Sequence, residues 1–201
     1  MTNRLPLALL AALALTVSAH AAAPPAGVQA GTYAIEPNHT EILFKVSHFG
    51  YSNYYGQFPG ASGTLKLDPA NPAASQVDVS VPVGNVWTPS EKLTDELKSS
   101  DWLDAKAFPN MTFKSTKVTP TGPTTAEVAG DLTLHGVTKP VVLKASFNRG
   151  AVFPMNQKYM IGFEATGHIK RTDFGVTKYA NFGLGDDVDL IISAPFVKTG
   201  S

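Results

Sequence analysis

The stretch "TAEVAGDLTLHGVTKPVVLKASFN", residues 125–148, decides the fold. Val128, Leu132 and Leu134 share one parity in its first half; Val141, Leu143, Ala145 and Phe147 share one in its second. Side chains two apart lie on the same face of a strand. His135-Gly136 between the halves is a compact turn, so the segment reads as a hairpin of Thr125–Leu134 and Val137–Asn148. Its arms are about twice the usual strand length of 5 or 6 residues. At about 3.3 Å per residue they span roughly 33 to 40 Å.

The same pattern recurs along the chain. Thr40–His48 places Ile42, Phe44 and Val46 on one face, and Tyr54–Leu67 follows with an interruption at Pro59-Gly60. Ser75–Val86 carries Val77, Val79, Val81 and Val83 on one parity, with Pro82 on the other, the mark of an edge or bulge. Asn110–Thr119 offers Met111 and Phe113. Tyr159–Arg171 offers Ile161, Phe163, Ala165 and Ile169, and Asp187–Lys198 offers Val188, Leu190, Ile192, Ala194 and Phe196. Lys45, Lys144, Glu164, Lys170 and Asp189 occupy the opposite faces. These strands, with no βαβ alternation, predict an all-β domain with one short helical insertion. The architectures that fit are an extended eight-stranded antiparallel barrel or a strongly curved sandwich. Closure is favoured because it removes long exposed edges.

The insertion is "TPSEKLTDELKSSDWLDAKAFP", residues 88–109. Thr88 suits an N-cap, Pro89 position N1 and Glu91 position N3, a capping box. Leu93 and Leu97 share a face that needs an apolar surface to lie on. A second short turn from Asp101 carries Trp102 and Leu103.

Arg4 followed by the apolar run Leu5–Ala19 and the small-x-small triplet Ala19-His20-Ala21 reads as a signal peptide, residues 1–21, cleaved after Ala21. Residues 22–201 then form a single domain, opened by a flexible lead over Ala22–Gly31. The run is short of the about 20 residues that span a membrane. The chain has no cysteine, which excludes disulfides, thiolate catalysis and thiolate metal sites. Loss of Arg4 leaves 15 basic and 16 acidic side chains, a net charge of −1. Without a basic stripe, nucleic-acid binding is excluded as a function class.

Two polar residues break the inward apolar pattern, both at strand ends. His48 follows Val46 on the apolar side, and Arg171 follows Ile169. A polar group in an apolar interior costs several kcal/mol unless hydrogen-bonded. Arg171 therefore pairs structurally, with Asp173 a local candidate, or meets a ligand's polar end. His48 is a satisfied core or rim histidine or a ligand contact; catalysis and metal binding are weaker readings because no partner residues accompany it. No G-x-S-x-G elbow, H-E-x-x-H helix motif or phosphate loop occurs, and no inward carboxylate pair is evident. The expectation is a protein that is not an enzyme and holds no metal or cofactor.

Five stretches together resemble the YceI-like family of exported, lipocalin-like isoprenoid-binding proteins. They are "YAIEPNHTEILFKVSHFG" (33–50), "GQFPGASGTLKLD" (56–68), "LKSSDWLDAKAFPNMTFKSTKV" (97–118), "GDLTLHGVTKPVVL" (130–143) and "IKRTDFG" (169–175). The resemblance implies a lipocalin-like barrel, a periplasmic location and a long isoprenoid ligand, either a polyprenyl phosphate or an isoprenoid quinone. A carrier of that kind would lay the tail along Ile42, Phe44, Val46, Phe49, Phe113, Leu143, Phe163 and Ile192. Its polar end would meet candidates among His48, Tyr54 and Arg171. A membrane or membrane-protein partner and a homodimer both stay open. The competing readings are a lipid isomerase or hydrolase on the same barrel, and a stress-related interaction protein with a solid core.

Overall fold

A computed structural model describes residues 27–200; the signal peptide read over 1–21 lies outside them. Ten strands form one antiparallel sheet: β1 (Gly31–Ile35), β2 (Glu41–His48), β3 (Ser52–Gln57), β4 (Ser62–Leu67) and β5 (Gln76–Pro82). They continue as β6 (Asn110–Pro120), β7 (Thr125–Leu134), β8 (Val137–Val152), β9 (Tyr159–Lys170) and β10 (Asp187–Gly200). The single α-helix among the described residues, α1 (Glu91–Lys98), sits between β5 and β6.

The order β1-β4-β5-β6-β7-β8-β9-β10 closes on itself through a β1–β10 pairing, giving a ring of eight strands. β2 and β3 prolong two of these staves. β10 pairs with β2 from Val188↔Val46 to Ser193↔Glu41 and then with β1 from Ile35↔Phe196 to Thr32↔Gly200. The first stave bends over residues 36–40, where Thr40 donates to the Glu36 carbonyl (2.6 Å) and the Glu36 carboxylate accepts from the His39 amide (2.9 Å). The second breaks at Pro59-Gly60, as its sequence implies, and Gly60 has the left-handed φ of 85° that favours glycine.

Four details differ from the sequence reading. β1 begins at Gly31, directly where the lead was expected to end, and is too short for its alternation to show. The strand expected over Ser75–Val86 ends at Pro82, and Val83–Asn85 turn as a 3-10 helix. Pro82 lies beyond the last β4–β5 pair, Ser62↔Ser80, so its missing N–H spares the ladder on that side. The N-cap of α1 is Ser90, whose hydroxyl accepts from the Leu93 amide (3.3 Å), and not Thr88. The Thr88 hydroxyl is instead engaged by the Ser90 carbonyl and the Thr94 hydroxyl (2.9 and 3.0 Å). Lastly, Arg171 falls one residue past β9 and opens a 3-10 turn over Arg171–Phe174.

Strand directions sort the connections onto two ends of the barrel. The β2–β3 tip, residues 83–109 with α1, the His135-Gly136 turn and residues 171–186 share one end, here the helical end. The turn has positive φ at both central residues (51° and 74°), as a tight hairpin of that hand requires. His135 Nδ1 donates across to the Phe174 carbonyl (3.1 Å), tying two helical-end segments together. Residues 68–75, 121–124 and 153–158 lie at the opposite end with Tyr33, which is fully buried and donates to the Gln29 carbonyl (2.6 Å). Burial and the neighbouring Tyr159 push its phenol up to about 12.

Candidate functional site

The barrel is hollow. A cavity of about 570 Å³ runs the length of the strands, from Phe49, Leu97 and Tyr179 at the helical end to Val28, Pro72 and Pro123 at the other. Inward parity dictates its wall. Cross-strand neighbours Val188↔Val46, Leu190↔Phe44 and Ile192↔Ile42 stack inward in register between β10 and β2. Phe113 faces Leu132 across β6–β7, and Phe163 faces Phe147 across β8–β9.

Ile42, Phe44, Val46, Phe113, Leu143, Phe163 and Ile192 are only half-buried although they point into the barrel. In a solid core such residues would be covered by one another. Here their uncovered surface faces the lumen. Space is kept by small residues: Ala145 pairs with Ala165, which pairs with Ile192 on its other side. Two inward glycines accept large side chains folded over them. A Cβ at Gly130 would collide with the Phe113 ring, and one at Gly167 would stand 2.6 Å from Leu143 Cδ2. The solid-core alternative therefore does not describe this molecule.

All eleven residues singled out from the sequence line this one cavity, Phe49 included. His48, Tyr54 and Arg171 stand together at the helical end, although strand parity alone does not require a shared mouth. His48 is exposed at the end of β2, its ring edge-on to Phe49 (centroids 4.9 Å) and 6.5 Å from Tyr54. Arg171 is 6% exposed and is not held by Asp173. Nε donates to the Gly185 carbonyl (2.8 Å), Nη1 to those of Val176 and Lys178 (2.7 and 2.9 Å), and Nη2 to that of Leu184 (3.3 Å). The guanidinium thus folds the 172–186 segment around itself. Burial pulls its pKa down and Asp186 opposes that pull, but a guanidinium stays charged throughout.

Sequence reasoning does not assign the helical end of the lumen its cover. Leu93 and Leu97 of α1, with Trp102 and Leu103 after it, line the cavity. Tyr179 packs against Trp102 (centroids 6.1 Å), and Lys178 Nζ reaches Asp101 at 2.7 Å. The Leu93/Leu97 spacing shows an apolar face; only the fold shows that this face caps a lumen. At the β2–β3 tip the Gly185 amide donates to the Ser47 carbonyl (2.9 Å), so the aromatic tip and the 172–186 segment meet at the same mouth.

A cluster of ionic contacts lies on the outer wall. His168 Nδ1 and Nε2 stand 3.0 Å from Asp189 and Asp187 carboxylate oxygens, with Lys45 on Asp189 (2.6 Å) and Lys170 on Asp187 (2.9 Å). The two carboxylates raise the His168 pKa above its ordinary 6.5, chiefly through the hydrogen bond to Asp189.

Fold and site together define a closed up-and-down β-barrel with an apolar, strand-length lumen and an aromatic, helix-capped mouth. The YceI-like domain matches residues 33–196, and the chain belongs to the YceI-like family. It is 42% identical over 197 residues to a UPF0312 protein of Pseudomonas fluorescens, covering 94% of this chain and 96% of that one. The crystal structure of a Campylobacter jejuni YCEI protein is similar at a TM-score of 0.66 and 30% identity, over 76% of this chain and 90% of the other. A polyisoprenoid binding domain from Saccharophagus degradans shares the fold at a TM-score of 0.60 and 12% identity, over 85% and 100% of the two chains.

Proposed function

We propose that this protein is an exported, periplasmic, non-catalytic carrier that holds a long isoprenoid lipid, a polyprenyl phosphate or an isoprenoid quinone, inside the barrel. The observation that carries the reading is the lumen itself: apolar along its wall, uncovered there, and as long as the strands. β6 alone has 11 residues, about 36 Å of strand at about 3.3 Å per residue. A bore that long and narrow suits an extended tail better than a compact metabolite. Each buried CH₂ contributes about 0.8 kcal/mol, so a tail needs few polar contacts to bind tightly. Family membership and the binding named for the Saccharophagus degradans domain support the isoprenoid class.

A hydrophobic fluorescent probe loaded into the purified protein tests this. Isoprenoid quinones of increasing tail length should displace it with rising affinity, and a tail-less quinone should not. Failure of the protein to take up any probe or long-chain isoprenoid overturns the proposal, as does displacement that ignores tail length.

A further inference from the structure

Trp102 is 7% exposed and lines the helical end of the lumen, and its indole Nε1 is sealed from solvent with no hydrogen-bond acceptor among the described residues. An unpaired donor of this kind is disfavoured, since burying an amide-like N–H without a partner forfeits its hydration. Native interiors satisfy nearly all such groups, and the exceptions need a physical reason.

The surroundings point to one. Arg171 has five N–H groups, of which four meet backbone carbonyls; one on Nη2 has no acceptor among the described residues. Residues 176–179 bring the two side chains to one place, since Lys178 offers its carbonyl to Arg171 while Tyr179 lays its ring on Trp102. Near the helical end of an otherwise apolar bore the chain therefore holds two N–H donors without acceptors among the described residues and a buried positive charge. Trp102 itself stands in the turns after α1, outside the hydrogen-bonded wall. A turn of its indole toward the lumen would break no strand pairing.

We propose that Trp102 Nε1 is the head-group donor of this barrel: it selects an isoprenoid whose polar end carries an oxygen acceptor and seats that end beneath α1, beside Arg171. The inference rests on the lumen being the lipid site, and it adds an orientation and a chemical requirement. The shared chemistry is a hydrogen-bond-accepting oxygen, which a quinone carbonyl and a phosphate monoester both supply. A hydrocarbon tail alone leaves the indole unpaired.

The test uses the full mature chain and three probes of matched tail length: an isoprenoid hydrocarbon, an isoprenoid quinone and a prenyl phosphate. The chain has two tryptophans, so its two indole N–H resonances in a ¹⁵N-correlated spectrum are separated by a Trp87→Phe variant. The Trp102 resonance should move downfield with a ligand bearing an acceptor and not with the hydrocarbon. Trp102→Phe keeps a ring and removes the donor. It should weaken the acceptor-bearing ligand about 5- to 150-fold while leaving hydrocarbon affinity within about twofold. If the quinone moves the resonance and the phosphate does not, the acceptor is a carbonyl; the reverse result makes it a phosphate. Binding of all three probes with an unmoved resonance, or equal losses for all three in the variant, overturns the Trp102 assignment and leaves the lumen reading standing. Binding of none overturns both. Should the variant fail to fold, the wild-type resonance alone decides.

Discussion

Ala165→Phe is the sharpest perturbation of the lumen. Ala165 lies midway along β9, flanked in register by Ala145 and Ile192, and it lines the cavity. A phenyl ring there enters open bore rather than packed core, so the overpacking cost of about 1 to 3 kcal/mol should be largely avoided. The ring would stand six residues from Tyr159 and five from Lys170, dividing the bore near its middle. Denying a tail only four methylene equivalents removes about 3 kcal/mol at about 0.8 kcal/mol each, roughly 200-fold in Kd. Competition binding of a long and a short isoprenoid quinone, beside thermal unfolding, reads this. The long tail should lose roughly two orders of magnitude, the short tail much less, and the melting temperature should hold or rise. Unchanged long-tail affinity in a folded variant refutes the placement of the tail in the bore.

Arg171→Met removes a buried charge that organises four carbonyls, and it should destabilise the fold by about 4 kcal/mol in urea unfolding; a loss under about 1 kcal/mol contradicts the structural role. His168 has its folded pKa raised above 6.5, so its contribution to stability is fully present below about pH 6.5 and lost as pH rises through the folded value. An NMR titration should place its midpoint above 6.5 and show it falling in Asp189→Asn; an unmoved midpoint in that variant rejects the pairing. Ser90→Ala should cost about 1 kcal/mol, the usual worth of an N-cap hydroxyl. Retention of full stability would return the cap to Thr88.

Much of the barrel is legible in the sequence because its wall is built from period-two strands, and parity states which side chains share a face. Alternation alone assigns Ile42, Phe44 and Val46 inward, and register sets them against Ile192, Leu190 and Val188. Parity does not state what covers an inward residue. Whether Phe113 and Leu143 meet each other or open space depends on ring closure and on the glycines that accept their bulk. Nor does it reach residues outside strands. Nearness in sequence suggests Asp173 as the partner of Arg171; the chain instead folds back to offer carbonyls from 176 to 185. Trp102 and Tyr179 lie 77 residues apart in turns, where no periodicity announces their meeting. The Ser90 cap shows local competition of the same kind, since Thr94, a turn further on, draws the Thr88 hydroxyl away.

A lumen that holds a long isoprenoid lipid should carry one out of the cell. Native mass spectrometry of the protein purified from its own host, followed by solvent extraction and fragmentation of whatever is released, tests it most directly. The expected result is a bound lipid of one-to-one stoichiometry that fragments in isoprene steps and is lost, or shortened, in Ala165→Phe. A polypeptide that carries no lipid from its host and takes up none from an isoprenoid mixture would contradict it.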